Sequence, residues 1–286
     1  MTLPTRPAGV EPLRSPVMVA AFEGWNDAGD AATGAVEHLA DVWDSVAVAA
    51  VDPDEYYDFQ VNRPTVSLED GTTRRITWPT TRFLVCRLPG SERDLVLVRG
   101  VEPNMRWRGF CEEVLAVAKE LGVAQVVTLG ALLADSPHTR PVPVSGTSSD
   151  AGLSARLGLE PSRYEGPTGI VGVLQEACER AGLPSVSFWA AVPHYVAQPP
   201  CPKATIALLR RVEDLLDVTV PLADLPEEAR TWERQVDELA AEDSDVAEYI
   251  ATLEDREPEE DLPEASGEAI AKEFERFLRR QDPESP

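Results

Sequence analysis

An uninterrupted apolar run at residues 126–133 constrains the fold of this 286-residue chain more than any other stretch. Its sequence, VVTLGALL, does not alternate between polar and apolar side chains. Such a run is typical of a strand that is buried on both faces of a parallel sheet. It ends abruptly in a polar, proline-containing loop at residues 135–141. Because ligands in open α/β sheets gather where loops leave the carboxyl ends of strands, this loop is the first candidate for a functional site.

Segments on either side of this run complete the prediction of an α/β core. Apolar residues spaced three and four apart indicate helices at 28–43, 107–121, 170–181 and 203–217. Further strands are predicted at 16–22, 46–51, 83–88, 94–99 and 186–192. The strand–helix–strand order of residues 16–51 is a βαβ start and argues for a parallel sheet. We therefore predict an α/β fold with a mostly parallel central sheet and helices on both faces.

A β-hairpin is predicted as an insertion at about residues 64–78. Two runs of β-forming residues flank Asp70-Gly71, and this dipeptide supplies the positive φ angles of a tight hairpin turn. An isolated two-stranded ribbon is only marginally stable in water, so it should pack on the body of the protein or on another subunit. We favour the second arrangement as a hypothesis. Its candidate oligomer-interface residues are Leu68, Asp70, Gly71, Ile76 and Trp78.

The composition changes beyond residue 223, which divides the chain into a predicted α/β core at 1–223 and a helical extension at 224–286. The extension holds 22 acidic and 7 basic residues, a net charge of −15 out of −24 for the whole chain. Narrow apolar stripes predict helices around 226–239, 246–253 and 270–278, with an acidic linker at 254–265. Helices with a single apolar face must bury that face against another part of the chain or against a partner. They could cover the carboxyl end of the sheet as a lid or bind a partner, and we favour the lid because it needs only this chain.

Charge and cysteine usage exclude several classes of function. A net charge of −24 leaves no basic footprint for a phosphate backbone, so nucleic acid is not expected as a partner, whereas a basic protein partner is compatible with it. The chain has no apolar run of spanning length, and its first 15 residues do not resemble a signal peptide, so no membrane association is expected. The four widely spaced cysteines predict buried free thiols in a reducing cytoplasm and no zinc site.

Polar residues that follow the predicted strands form the candidate ligand-binding site. His138 and His194 each follow a proline at the end of a predicted buried strand, so both are expected to face one crevice. Their imidazoles could serve acid/base chemistry near neutral pH, or could only satisfy loop carbonyls. Arg140 could pair with an anionic ligand or with local carboxylates. The full candidate set is Asn26, Asp27, Glu102, His138, Thr139, Arg140, His194 and Tyr195.

The loop at residues 24–29, GWNDAG, lies between a predicted strand and a predicted helix, where phosphate-binding loops occur. It lacks the Lys-Ser/Thr ending of such loops, and its carboxylates would repel a phosphate. A helix cap by Asn26, Asp27 or Asp30 is the preferred interpretation, and Asp27 could also be a site carboxylate. The chain has no GxSxG motif, so a serine hydrolase of that class is unsupported. No catalytic residue, metal site or cofactor is assigned.

Five collinear motifs together closely resemble the bacterial branch of the proteasome assembly chaperone family, its type-two members. They are FEGWNDAGDAA, RGVEPNMRW, TLGALLADSPHTRPVPV, GPTGIVGVL and WAAVPHYVAQPPCPKA, and the resemblance covers about residues 16–216. It implies an α/β core like that of nucleoside phosphorylases and some peptidases, with an inserted hairpin and a C-terminal helical region. It also implies a homo-oligomer, for which a trimer is plausible, and a function that is mostly unassigned in the bacterial branch.

One departure from the family pattern affects the expected partner. Relatives that dock on the proteasome use a C-terminal hydrophobic–Tyr–any tripeptide, whereas this chain ends in DPESP, so docking on proteasome subunits in that way is doubtful. Two functions remain. The first is an oligomeric protein-binding or assembly-chaperone-like protein. The alternative is a small-molecule-binding protein or a hydrolase- or phosphorylase-like enzyme that uses the crevice for a nucleoside-like or peptide-like substrate.

Overall fold

A computed structural model describes residues 11–159, 162, 164–196 and 198–255 of the protein. Its strands are β1 Val17–Glu23, β2 Val46–Ala50, β3 Thr65–Glu69, β4 Thr73–Thr77, β5 Arg82–Arg87, β6 Asp94–Val101, β7 Gln125–Ala134, β8 Val144–Ser148 and β9 Ser185–Pro193. Its α-helices are α1 Ala31–Val42, α2 Pro53–Tyr56, α3 Trp107–Glu120, α4 Ala151–Leu157, α5 Ile170–Arg180, α6 Pro202–Leu216, α7 Leu225–Glu242 and α8 Ser244–Asp255. A short 3₁₀ turn at Ala28–Asp30 precedes α1.

The central sheet has seven strands in the order β2-β5-β6-β1-β7-β9-β8. Its four middle strands, β6, β1, β7 and β9, are parallel to one another, which confirms the prediction of a mostly parallel α/β sheet. β2 runs in the same direction as β1, as the strand–helix–strand start predicted, but it lies at the edge of the sheet, where it pairs antiparallel with β5. The antiparallel pair β5 and β6 lies between β2 and β1.

Helices cover both faces of the sheet, as predicted. Alternate residues of β1 point to opposite sides, so that Val17 and Val19 join a core with α1 and α6, whereas Met18 and Phe22 join a core with α3 and α5. Each fully buried side chain of this size contributes about 1.5–3 kcal/mol to folding. Cys86, Cys111, Cys178 and Cys201 are buried and unpaired, which confirms their prediction as free thiols.

The edge formed by β8 was not predicted. Residues 144–148, VSGTS, are largely polar and pair antiparallel with β9. Gly146 allows Phe188 and Leu159 to approach, because a Cβ atom at this position would lie 2.8 Å from the Leu159 side chain. Short polar edge strands carry little hydrophobic pattern, so sequence periodicity does not reveal them.

The inserted hairpin forms as predicted. Strands β3 and β4 pair antiparallel from Thr65↔Thr77 to Glu69↔Thr73. The turn residues Asp70 and Gly71 have φ angles of 52° and 73°. Positive φ angles at both central residues are typical of a type I′ turn, which the Asp-Gly dipeptide favours.

The acidic extension begins with two helices. α7 packs against α6, and α8 follows α7 after a single residue. Glu254 and Asp255, which were predicted to begin a linker, are the last two residues of α8. The predicted helix at 270–278 and the rest of the linker lie outside the described residues. None of the helices in the described part of the chain combines the length and the hydropathy of a membrane span.

Candidate functional site

The eight candidate ligand-binding residues lie at the carboxyl ends of the four parallel strands. Glu102 follows β6, Asn26 and Asp27 follow β1, residues 138–140 follow β7, and residues 194–195 follow β9. Their contacts gather them into two groups. The first consists of Asn26, Asp27 and Glu102. The second consists of His138, Thr139, Arg140, His194 and Tyr195, and it is covered by the acidic extension.

Asp27 caps the first turn of α1. One of its carboxylate oxygens accepts hydrogen bonds from the backbone N–H groups of Ala32 at 2.7 Å and Thr33 at 3.2 Å. The other accepts a hydrogen bond from the Thr33 hydroxyl. Burial raises the pKa of Asp27 to about 6, although these hydrogen bonds favour the charged form. The helix-cap interpretation is therefore confirmed, and it applies to Asp27.

Glu102 ties β6 to β1 and to the beginning of α5. Its Oε1 atom accepts hydrogen bonds from Nδ2 of Asn26 at 2.7 Å and from the N–H group of Ile170 at 2.8 Å. Because Ile170 is the first residue of α5, the carboxylate lies at the positive end of the helix dipole. Burial raises the pKa of Glu102. The Asn26 side chain packs on Gly169, where a Cβ atom would lie 2.3 Å from the amide, so this contact requires glycine.

His138 is buried and both of its ring nitrogens have partners. The Tyr195 hydroxyl accepts a hydrogen bond from the His138 backbone N–H at 2.7 Å and lies 2.8 Å from Nδ1. The hydroxyl proton of Tyr195 can be donated to Nδ1 of His138. In that arrangement the imidazole carries its own proton on Nε2, which lies 3.0 Å from Oδ1 of Asp237 in α7. Burial raises the pKa of Tyr195 to about 12, so the phenol stays protonated near neutral pH. This chain of bonds satisfies a neutral imidazole and connects β9, the loop after β7, and α7.

His194 lies on the other side of the same tyrosine. The ring centroids of His138 and His194 are 5.8 Å and 5.9 Å from that of Tyr195. Nδ1 of His194 is 3.2 Å from Oδ1 of Asp135, and its ring makes an edge contact with Tyr249 of α8 at 5.1 Å. The two histidines thus leave the same rim of the sheet, but they are separated by the Tyr195 ring.

The acidic extension covers this second group. The Thr139 hydroxyl donates a hydrogen bond to Glu254 at 2.5 Å, and Arg140 donates one to the Glu254 carbonyl. Lys203 donates one hydrogen bond to the His138 carbonyl at 2.5 Å and another to Glu233. Sequence reasoning did not identify Lys203, Glu233, Asp237 or Glu254 as members of this group. Their only signal was the docking requirement of the one-sided helices, which does not say where they dock.

Two surface cavities of the described part of the chain lie away from the candidate residues. A cavity of about 600 Å³ lies beside α4 and α6 and is lined by Arg156, Arg210 and Arg211 among others. A second, of about 200 Å³, lies near the amino end of β7. Neither is lined by a candidate residue. Within the described ranges, no group of three or more His, Cys, Asp or Glu side chains is arranged to hold a metal ion. The hydrogen bonds of the two groups connect strand ends to α1, α5, α7 and α8.

Comparisons with known proteins agree on one family. A family model described as the PAC2 family matches residues 21–240. A PAC2 family protein from Streptomyces avermitilis is 66% identical, with a TM-score of 0.78, over 82% of this chain and 99% of that chain. A Mycobacterium tuberculosis protein described as a proteasome-assembly chaperone homologue is 63% identical, with a TM-score of 0.76 and the same coverage of 82% and 99%.

A more distant structure has the same fold. PbaB from Pyrococcus furiosus, described as an archaeal proteasome activator, is 18% identical, with a TM-score of 0.64, over 83% of this chain and 97% of that chain. At this identity the likeness concerns the fold alone. No match was found among curated proteins.

Proposed function

This chain belongs to the PAC2 family, and from that premise we propose that it is a homo-oligomeric protein-binding protein with an assembly-chaperone-like role. The proposal draws on the relative that is 63% identical over 82% of this chain and is described as a proteasome-assembly chaperone homologue. The proposed function requires neither catalysis nor a cofactor. Neither a nucleic acid nor a membrane is proposed as a partner.

The observation that carries the proposal is the apolar face of the hairpin. Val66, Leu68 and Ile76 share one face with Arg74, which lies opposite Leu68, and the three apolar side chains are 64%, 61% and 58% exposed. Thr65, Ser67 and the Glu69–Arg75 ion pair occupy the other face, because successive side chains of a strand alternate. A one-sided apolar ribbon that is left in water gains free energy when another protein covers it.

Exposed apolar side chains are concentrated around this hairpin. Of the eight large hydrophobic side chains that are exposed among the described residues, five lie between Val61 and Trp78, and Met105 follows Asn104, which is hydrogen-bonded to Asn62. Trp78 at the base packs edge-on against Phe59, with ring centroids 4.7 Å apart. We define the hairpin surface as Phe59, Val61, Val66, Leu68, Ile76, Trp78 and Met105. Exposed apolar patches of this kind mark protein-binding surfaces.

A second copy of the chain is the occupant that the charge favours. Residues 61–79 hold three arginines against one Glu and one Asp, a net charge of +1, whereas the whole chain carries −24. A slightly basic arm is thus attracted to the acidic surface of another copy. A hairpin that docks on a different part of its neighbour makes a head-to-tail contact, and a threefold rotation between successive copies would close it into a trimeric ring. In this arrangement Leu68, Ile76 and Trp78 form the contact, and Asp70 and Gly71 set the turn.

Two measurements test the proposed function. Light scattering after size exclusion should give an oligomeric mass, and the mass of a single chain at every concentration would contradict self-association. Mixing with purified proteasome α subunits from the same organism tests one protein partner, and co-elution would identify the proteasome as that partner. If the chain is oligomeric but elutes apart from the α subunits, the protein partner is not the proteasome.

A second candidate function is a small-molecule-binding protein or a hydrolase- or phosphorylase-like enzyme. One observation favours it: Oδ1 of Asn26 is buried beside Glu102 and has no hydrogen-bond partner among the described residues. Such an acceptor could receive a hydrogen bond from a ligand. A thermal-shift screen with nucleosides, nucleotides and small peptides tests this function. A shift that is lost in Glu102→Gln supports it, and the absence of any shift at millimolar ligand contradicts it.

A further inference from the structure

The contact between the acidic extension and the carboxyl end of the sheet has the composition of a recognition site. We name residues 225–255 the clasp, and we name the surface beneath it the cradle. The cradle consists of His138, Thr139, Arg140, His194, Tyr195 and Lys203. It combines two cationic side chains, two imidazoles and a tyrosine ring. Such a surface suits a partner that offers carboxylates together with an aromatic ring.

The clasp offers that chemistry in a defined pattern. It contains 11 acidic and 2 basic residues, a net charge of −9. Glu233 and Asp237 are one helical turn apart and contact Lys203 and His138. The residue before each of them, Trp232 and Val236, is buried. Residues 232–237, WERQVD, therefore turn two buried apolar side chains and two carboxylates toward the body of the protein, and the Trp232 ring lies 6.4 Å from that of His138.

The clasp is held more weakly than the helices of the core. α7 buries three of its 18 residues and α8 two of its 12, whereas α6 buries eight of 15. The charged partners are also open to solvent on one side, since the Asp237 side chain is 63% exposed. Elements with few buried apolar contacts and exposed ion pairs open at lower free energy than the core, and salt weakens them further.

We propose that the cradle is a docking site for an acidic amphipathic helix of a protein partner, and that the clasp occupies it as an exchangeable competitor within the chain. The partner helix carries two carboxylates one turn apart, each preceded by an apolar residue, the first of them aromatic. This site is separate from the hairpin surface. The failure of self-association through the hairpin would therefore leave it unaffected.

A fluorescent peptide of residues 225–255 serves as the probe, with full-length proteins as receptors. In the open-clasp variant, Glu233→Gln with Asp237→Asn, the chain's own clasp competes less, so anisotropy should give a Kd at least about tenfold lower than for the wild type. The matched control, Glu238→Gln with Glu242→Gln, removes the same charge from exposed positions and should behave as the wild type. Adding Lys203→Met to the open-clasp variant should abolish its gain, and a peptide with both clasp substitutions should bind neither protein.

Two results would overturn the proposal. One is an open-clasp variant that keeps the wild-type circular dichroism spectrum and still does not bind the peptide, or binds it equally well after Lys203→Met. The other comes from hydrogen exchange of the wild-type chain, which does not depend on any variant. The amides of α7 and α8 should exchange faster than those of α6, and faster still at high salt. Equal protection of α6 and the clasp would show that the clasp is not exchangeable.

Discussion

The Tyr195 hydroxyl joins the ends of two neighbouring strands, because its oxygen lies 2.7 Å from the backbone nitrogen of His138 and 2.8 Å from Nδ1 of the same residue. β7 and β9 pair in register up to Ala134↔Pro193, so the loops that follow them start side by side. A single phenol then fixes the loop after β7 in a position where Asp237 and Lys203 can reach it. The cradle thus depends on Tyr195.

Replacing Tyr195 with phenylalanine removes two hydrogen bonds and leaves the His138 N–H without its partner. The cost is expected to be about 1–3 kcal/mol in the free energy of unfolding, which is the usual penalty for leaving a buried polar group unpaired. Urea denaturation measures it. Tyr164→Phe is the control, since that hydroxyl bonds to the exposed carbonyl of Pro167 and should change stability by less than about 0.5 kcal/mol. Equal effects of the two substitutions would show that the hydrogen bonds between Tyr195 and His138 do not stabilise the fold.

The buried carboxyl of Asp27 predicts a pH dependence of stability. Its pKa is about 6 in the folded protein against 3.8 when exposed, so the folded state binds more protons between these values. Stability must therefore fall as pH rises from about 4 to 6, by up to about 3 kcal/mol for a shift of this size.

Urea denaturation at a series of pH values, compared between the wild type and Asp27→Asn, isolates this contribution. The substituted asparagine cannot ionise, so the variant lacks the loss of stability that the wild type shows as pH rises, and the difference between the two should shift in favour of the variant from about pH 4 to 6. Two curves that run parallel from pH 4 to 7 would show that burial does not control the ionisation of Asp27.

The absence of a side chain at Gly169 lets Asn26 pack against it, so a larger residue at this position is expected to destabilise the protein. Its φ angle of −96° is open to any residue, so Gly169→Ala acts only through the Cβ atom that would lie 2.3 Å from the amide. Displacing Asn26 and Glu102 should destabilise the protein by about 1–3 kcal/mol, as overpacking usually does. The thermal midpoint measures the effect. Gly109→Ala in α3 is the control, because its Cβ would make an ordinary contact at 3.9 Å and should be neutral or stabilising.

The buried parts of the fold could be predicted from the sequence because burial leaves a periodic signal. Residues 126–133 indicated β7, the apolar stripes indicated the long helices, and Asp70-Gly71 indicated the hairpin turn. The polar edge strand β8 left no such signal, and neither did the antiparallel pairing of β2. Strand neighbours depend on contacts between distant residues, which local order does not specify.

The candidate site was predictable in position but not in its partners. Strand ends located all eight candidate residues at the carboxyl end of the sheet, because parallel strands end at one edge. Their contacts come from distant segments: Asp237 lies 99 residues from His138, and Glu254 lies 115 residues from Thr139. An acidic helix offers many equivalent carboxylates, so the sequence did not show which of them would meet the cradle.

Mass measurement on two neighbouring hairpin substitutions tests the central claim most directly. Val66→Asp places a carboxylate on the apolar face of the hairpin, and Ser67→Asp places the same group on the polar face one residue later. If the hairpin surface joins copies of the chain, sedimentation velocity should show Val66→Asp shifted to a smaller species and Ser67→Asp at the wild-type mass. An identical mass for Val66→Asp, Ser67→Asp and the wild type would contradict the account.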